Sequence, residues 1–307
     1  MDSNYNNSTG VSYTSGFFIL LGLSLLGLVL SGFIGAGIIA LTSGGNLSQL
    51  KDAVNDPKNA DALRWIQVIS VIISMFLPAL ITARILSRNP FRLLGYQKDA
   101  EFKQVGLVVV IMFLSLFVAG SLGWLNKSIP LSAELKSKFD AAEKSYADQV
   151  EMMINLKSFG GYNSSLIIIA FLPAVCEETL FRGGLQNFLT RATKSPWLAI
   201  IIVSILFSIV HFSFYGFLPR MFLGIMLGLI FYYTRNLWLS ITAHFLNNAL
   251  AITAAYVIAK QGKSIKEAMN GDVQAYYWGF LAIPFLLLLF WALRKSKPYS
   301  STNIHNP

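Results

Sequence analysis

Residues Gly16 to Leu41 read GFFILLGLSLLGLVLSGFIGAGIIAL, a run without a single charged side chain. It exceeds the ~20 residues that carry a helix across a bilayer, and it is apolar on every side instead of along one stripe, as helices surrounded by lipid or by other apolar helices are. A cleaved signal peptide has a shorter apolar run behind Lys or Arg, and the fifteen residues ahead of this run contain neither. The segment is expected to persist as a membrane helix. Seven more blocks follow, roughly Trp65 to Leu86, Val105 to Leu125, Ser164 to Leu189, Trp197 to Phe214, Phe217 to Tyr233, Leu237 to Ile258 and Ala275 to Leu293. Hydrophobic residues make up 54% of the chain and charged ones 13%, about half the charged share of a soluble domain. The expected fold is an all-α, polytopic integral membrane protein with about eight transmembrane helices and a buried polar cluster.

The single cysteine, Cys176, rules out an intrachain disulfide, so helix packing within the membrane must hold the fold. The net charge of +9 is scattered between apolar blocks and forms no basic stripe, which argues against nucleic acid as a partner and for a membrane-flanking role. Lys and Arg divide evenly between the two sides of an eight-span arrangement; the cluster from Arg84 to Lys103 and the tail after Leu293 tilt the reading toward both termini in the cytoplasm. Residues 1–15, rich in Asn, Ser, Thr and Tyr, read as a disordered tail. The polar stretch 126–163 places Leu131, Leu135, Phe139, Ala142, Tyr146, Val150 and Met153 at helical spacing, which predicts an amphipathic surface helix near 131–157.

Ionisable side chains are absent from the interiors of the first three blocks and the last, apart from tyrosines and a terminal Arg84, whereas the fourth, fifth and seventh hold Glu177, Glu178, Arg182, His211 and His244. A charge at mid-membrane costs about 3 to over 10 kcal/mol, so it usually faces a polar cavity and has a task there. Glu178 and Arg182 are four apart and share a helix face as an internal ion pair. Glu177 points about 100° away, and a carboxylate facing a pocket is suited to act as a general base; all three could instead form one helix-locking network. Pro173 is expected to bend the helix just ahead of them. His211 follows Phe207 by four residues on one face, and His244 precedes Asn248 by four; Asn247 falls on a different face and is not assigned.

On these residues the sequence resembles the CPBP intramembrane proteases, which include the type II CAAX prenyl proteases and the Abi, bacteriocin-immunity relatives. The family's EExxxR, FxxxH and HxxxN/D motifs occur in order as Glu177 to Arg182, Phe207 to His211 and His244 to Asn248. The resemblance implies a catalytic core over 164–258, flanked by 16–163 and 259–307, and an endopeptidase acting on a membrane protein or peptide, with the lipid bilayer as its other partner. It implies further that Glu177 activates water with help from His211, that Glu178 and Arg182 support it, and that His244 and Asn248 stabilise the oxyanion. The cytoplasmic membrane of a bacterium is the expected location.

Alternatives stand beside this reading. Zinc held by Glu177, His211 and His244 is a possible cofactor, although no HExxH is present, and metal-free catalysis is the favoured version. A non-catalytic scaffold or immunity protein would use the same cluster for binding. A proton-coupled transporter would carry acidic residues in both halves. One geometric problem is visible: His211 lies fourteen residues into its block and His244 seven into a parallel one, a mismatch of ~10 Å at 1.5 Å per residue.

Overall fold

The computed structural model describes residues 10–42, 53–54, 56–154, 156, 158–262 and 276–296. Helix is the only regular structure among them. The elements are α1 (Tyr13–Thr42), α2 (Pro57–Leu86), α3 (Phe102–Lys127), α4 (Ala133–Met153), α5 (Phe159–Thr193), α6 (Pro196–Ile209), α7 (Phe217–Thr234), α8 (Leu237–Lys260) and α9 (Ile283–Lys295), the last entered through a 3₁₀ turn from Tyr276 to Ala282. Among the described residues, seven segments are long and apolar enough to cross a membrane, and large apolar side chains such as Phe33, Phe285 and Leu287 point outward, where lipid is the solvent that accepts them. The chain is an integral membrane protein.

Two expectations need correction. The fifth block does not form a full span: α6 stops after 14 residues, about 21 Å against the ~30 Å of hydrocarbon. Val210, His211 and Phe212 form a turn instead, with Phe212 in the left-handed region at φ 48° and its N–H donating to Ile209 O at 3.0 Å. The expected tail is also shorter, because α1 begins at Tyr13; Ser12 Oγ accepts the Ser15 N–H at 3.0 Å and caps it. Residues 1–9, 263–275 and 297–307 lie outside the described residues, and with them the start of the last block and the C-terminal tail.

Pro78 and Pro173 each follow a widened turn, Ile72–Phe76 and Leu166–Phe171, in which the next N–H reaches back five residues (Leu77 to Ile72, Leu172 to Ile167). Proline donates no hydrogen bond and crowds the carbonyl four residues earlier, so the preceding turn opens. A third widened turn, Thr179–Gln186, carries Arg182. α1 lies against the opened turn of α2 through Gly27: a Cβ there would sit 2.3 Å from Ile73 O, so only glycine permits this approach. Two apolar clusters fill the interior. One joins α3, α7, α8 and α9 around Ile111, Leu227, Ile230 and Leu286; the other joins α1, α2, α5 and α6 around Leu20, Leu86, Phe181 and Phe207.

Candidate active site

The three motif fragments converge from α5, from the turn after α6 and from α8. Glu178 is fully buried, and its Oε1 accepts two hydrogen bonds, from Arg182 Nη1 at 2.8 Å and from His244 Nδ1 at 2.8 Å. Arg182 is buried too, and its Nη2 donates to Gly224 O of α7 at 3.1 Å. A Cβ on Gly224 would lie 3.0 Å from the Ser204 side chain, so the close packing of α7 on α6 delivers that carbonyl. The guanidinium lies 4.7 Å from the centroid of the Phe207 ring, and the same ring meets His211 at 4.9 Å and His244 at 5.8 Å. Phe207 is thus a hub touching three of the polar residues.

Glu177 differs from its neighbour. Its side chain is 12% exposed, its Oε2 has no hydrogen-bond partner within the protein, and it faces His244 Nε2 at 3.8 Å. The hydrogen bonds decide which nitrogen of each imidazole is available. A carboxylate and a carbonyl only accept, so His244 donates Nδ1–H to Glu178, and His211 donates Nδ1–H to Phe207 O at 2.7 Å. Nε2 is the working nitrogen in both. His211 also lies within electrostatic reach of Glu177 and His244, so the axial mismatch anticipated from block lengths disappears: its imidazole is presented by a turn at the end of a short helix, not by a long helix in register with α8.

Asn248 lies one helical turn beyond His244. Its Oδ1 accepts from Asn247 Nδ2 at 3.0 Å, which leaves its NH₂ as the outward donor. Asn247, unassigned from the sequence, therefore orients Asn248. Among the described residues no group of three or more His, Cys, Asp or Glu side chains is gathered closely enough to hold a metal ion; as they stand, Glu177, His211 and His244 do not fit one.

Residues 161–250 match the family model described as type II CAAX prenyl endopeptidase Rce1-like. This segment belongs to the CPBP/CAAX protease family. The CPBP segment runs from the start of α5 to the middle of α8 and contains every residue of the cluster. No curated protein and no solved structure matches the chain.

Several contributors to the CPBP site had no signal in the motifs. The carbonyl of Gly224 is backbone. Tyr96, from the loop before α3, bonds Thr179 Oγ1 at 2.5 Å, one residue after Glu178. Arg220, an ionisable residue in the first turn of α7, belongs to none of the motifs.

Proposed function

We propose that this chain is an intramembrane endopeptidase in which Glu177 is the general base that activates water. One observation carries the reading: of two adjacent glutamates, Glu178 is wholly buried and bound through Oε1 by Arg182 and His244, while Glu177 is 12% exposed and accepts no hydrogen bond from a described residue. A general base needs a lone pair that water can reach; Glu178 is tied down and closed to water, and Glu177 is not.

In this mechanism water sits between Glu177 and His211 Nε2. Glu177 takes its proton as the hydroxyl oxygen attacks the scissile carbonyl, and then passes that proton to the leaving amine. His211 Nε2, oriented by the bond from Nδ1 to Phe207 O, accepts the second hydrogen of the water and holds it in line. Asn248 offers its NH₂ to the developing oxyanion. His244 can donate there only when Nε2 is protonated. Glu178 and Arg182 do not touch the substrate; they orient His244.

The experiment is a comparison of protein termini in membranes carrying the wild-type chain or Glu177→Gln. Termini found only with the wild type identify substrates. Identical sets in both, with the two proteins equally abundant, would overturn the reading.

A further inference from the structure

Arg220 stands in the first turn of α7, inside an apolar span, and its side chain makes no hydrogen bond or ion pair with a described residue. Its Nη1 is buried without an acceptor. The guanidinium lies 5.4 Å from the centroid of the Tyr146 ring of α4, and its charge reaches His211. Two acids of α4 bond the same turn, Glu143 with Ser213 Oγ at 2.5 Å and Asp140 with Tyr215 OH at 2.7 Å, and neither forms an ion pair with Arg220. Burying one N–H edge of a guanidinium without an acceptor is costly, and an ionisable residue at membrane depth usually marks a binding site or a pathway.

We propose that Arg220 is an anionic subsite, where a carboxylate of the bound polypeptide docks beside the residues that cleave it. The inference rests on the endopeptidase reading and adds a determinant of substrate choice. Placement favours a carboxylate of the substrate over a lipid phosphate: the guanidinium packs against Gly216 and Ser213 on the turn that carries His211, beside the residues that would act on the polypeptide. Its planar fork can hold a carboxylate through two parallel N–H···O bonds. A charge-assisted bond of this kind is worth about 10- to 100-fold in affinity.

The test measures binding to the full-length Glu177→Gln protein in nanodiscs, so that hydrolysis plays no part. The probes are three fluorescent apolar hexapeptides: one with a free C-terminal carboxylate, one ending in a carboxamide, and one ending in a carboxamide but carrying an internal Glu. At least one carboxylate-bearing peptide should bind about 10-fold or more tighter than the neutral one, and which of the two does so identifies the source of the anion. Adding Arg220→Gln should abolish the preference, and Arg220→Lys, with its charge but no fork, should retain part of it. Equal affinity for all three peptides would overturn the proposal whether or not the Arg220 variants fold. So would a preference that survives Arg220→Gln, or an Arg220→Gln effect confined to retention of phosphatidylglycerol. A preference seen without any cleavage of membrane proteins would leave the subsite standing while the endopeptidase reading fails; cleavage without a preference would do the reverse.

Discussion

Glu178 Oε1 and His244 Nδ1 are 2.8 Å apart, although they lie 66 positions apart on different helices. The same oxygen also accepts from Arg182. A single buried carboxylate thereby ties α8 to α5, orients an imidazole and pairs a buried guanidinium, while its neighbour Glu177 remains without a partner on Oε2. Adjacent side chains on a helix point about 100° apart, and that angle separates the acid tied to Arg182 and His244 from the one that accepts no hydrogen bond from a described residue.

Glu177→Gln should leave insertion and folding intact and reduce turnover about 10²- to 10⁴-fold, because an amide cannot take a proton from water. Rates are measured on a substrate found by the terminus comparison. Wild-type turnover by the variant would remove Glu177 from the role.

Glu178→Ala should lower thermal stability as well as activity, since it strands Arg182 and frees the His244 ring. Breaking a buried pair costs about 3–5 kcal/mol. Replacing both Glu178 and Arg182 by Leu and Met should recover part of the stability and none of the activity. A double variant no more stable than the single one in a detergent melting assay contradicts the pairing.

Asn248→Ala should reduce kcat about 10²- to 10³-fold with little change in KM, as loss of one oxyanion donor does. Asn247→Ala should produce a milder loss of the same kind, because Asn247 acts only by orienting the amide. A change in KM alone would point to substrate binding instead.

His244→Gln separates metal-free from zinc-dependent catalysis. An amide retains an N–H donor, so the oxyanion role predicts residual activity and no loss of bound metal; a zinc ligand replaced by Gln should lose both metal and activity. Elemental analysis of purified active protein, together with chelator treatment and zinc add-back, decides between them.

Hydrogen bonds from Lys136 and Tyr215 hold the Asp140 carboxyl below the usual carboxylate range. A group lowered on folding stabilises above its unfolded pKa and loses that contribution as pH falls through the folded value. The docking of α4 on the α6–α7 tip should therefore be constant from neutral pH down to about 4 and loosen only below it. Amide hydrogen exchange over 133–153 measures this. Loosening that begins near pH 6 would show that another group controls it.

Much of the fold was legible because lipid imposes a simple code: a segment without charges and about 20 residues long spans the membrane, as 16–41 does within α1. The same code misjudged the fifth block, since α6 and the turn carrying His211 are equally apolar and composition does not register where a helix stops. The amphipathic helix was readable from period alone, but not its docking, where Phe139 stacks on Phe214 with centroids 4.3 Å apart.

Local spacing likewise determined the chemistry that lies within one helix. Glu178 and Arg182 pair because four residues make about one turn, and Glu177 diverges from them for the same reason. Tertiary structure alone decided which nitrogen of each histidine is available, that Phe207 touches Arg182, His211 and His244 together, and that the Arg220 guanidinium pairs with no acid among the described residues. These are relations between helices separated by dozens of residues. They are set by crossing positions, by the two prolines that open turns and by the approach allowed at Gly27 and Gly224, and the period of one helix holds no information about the face its neighbour presents.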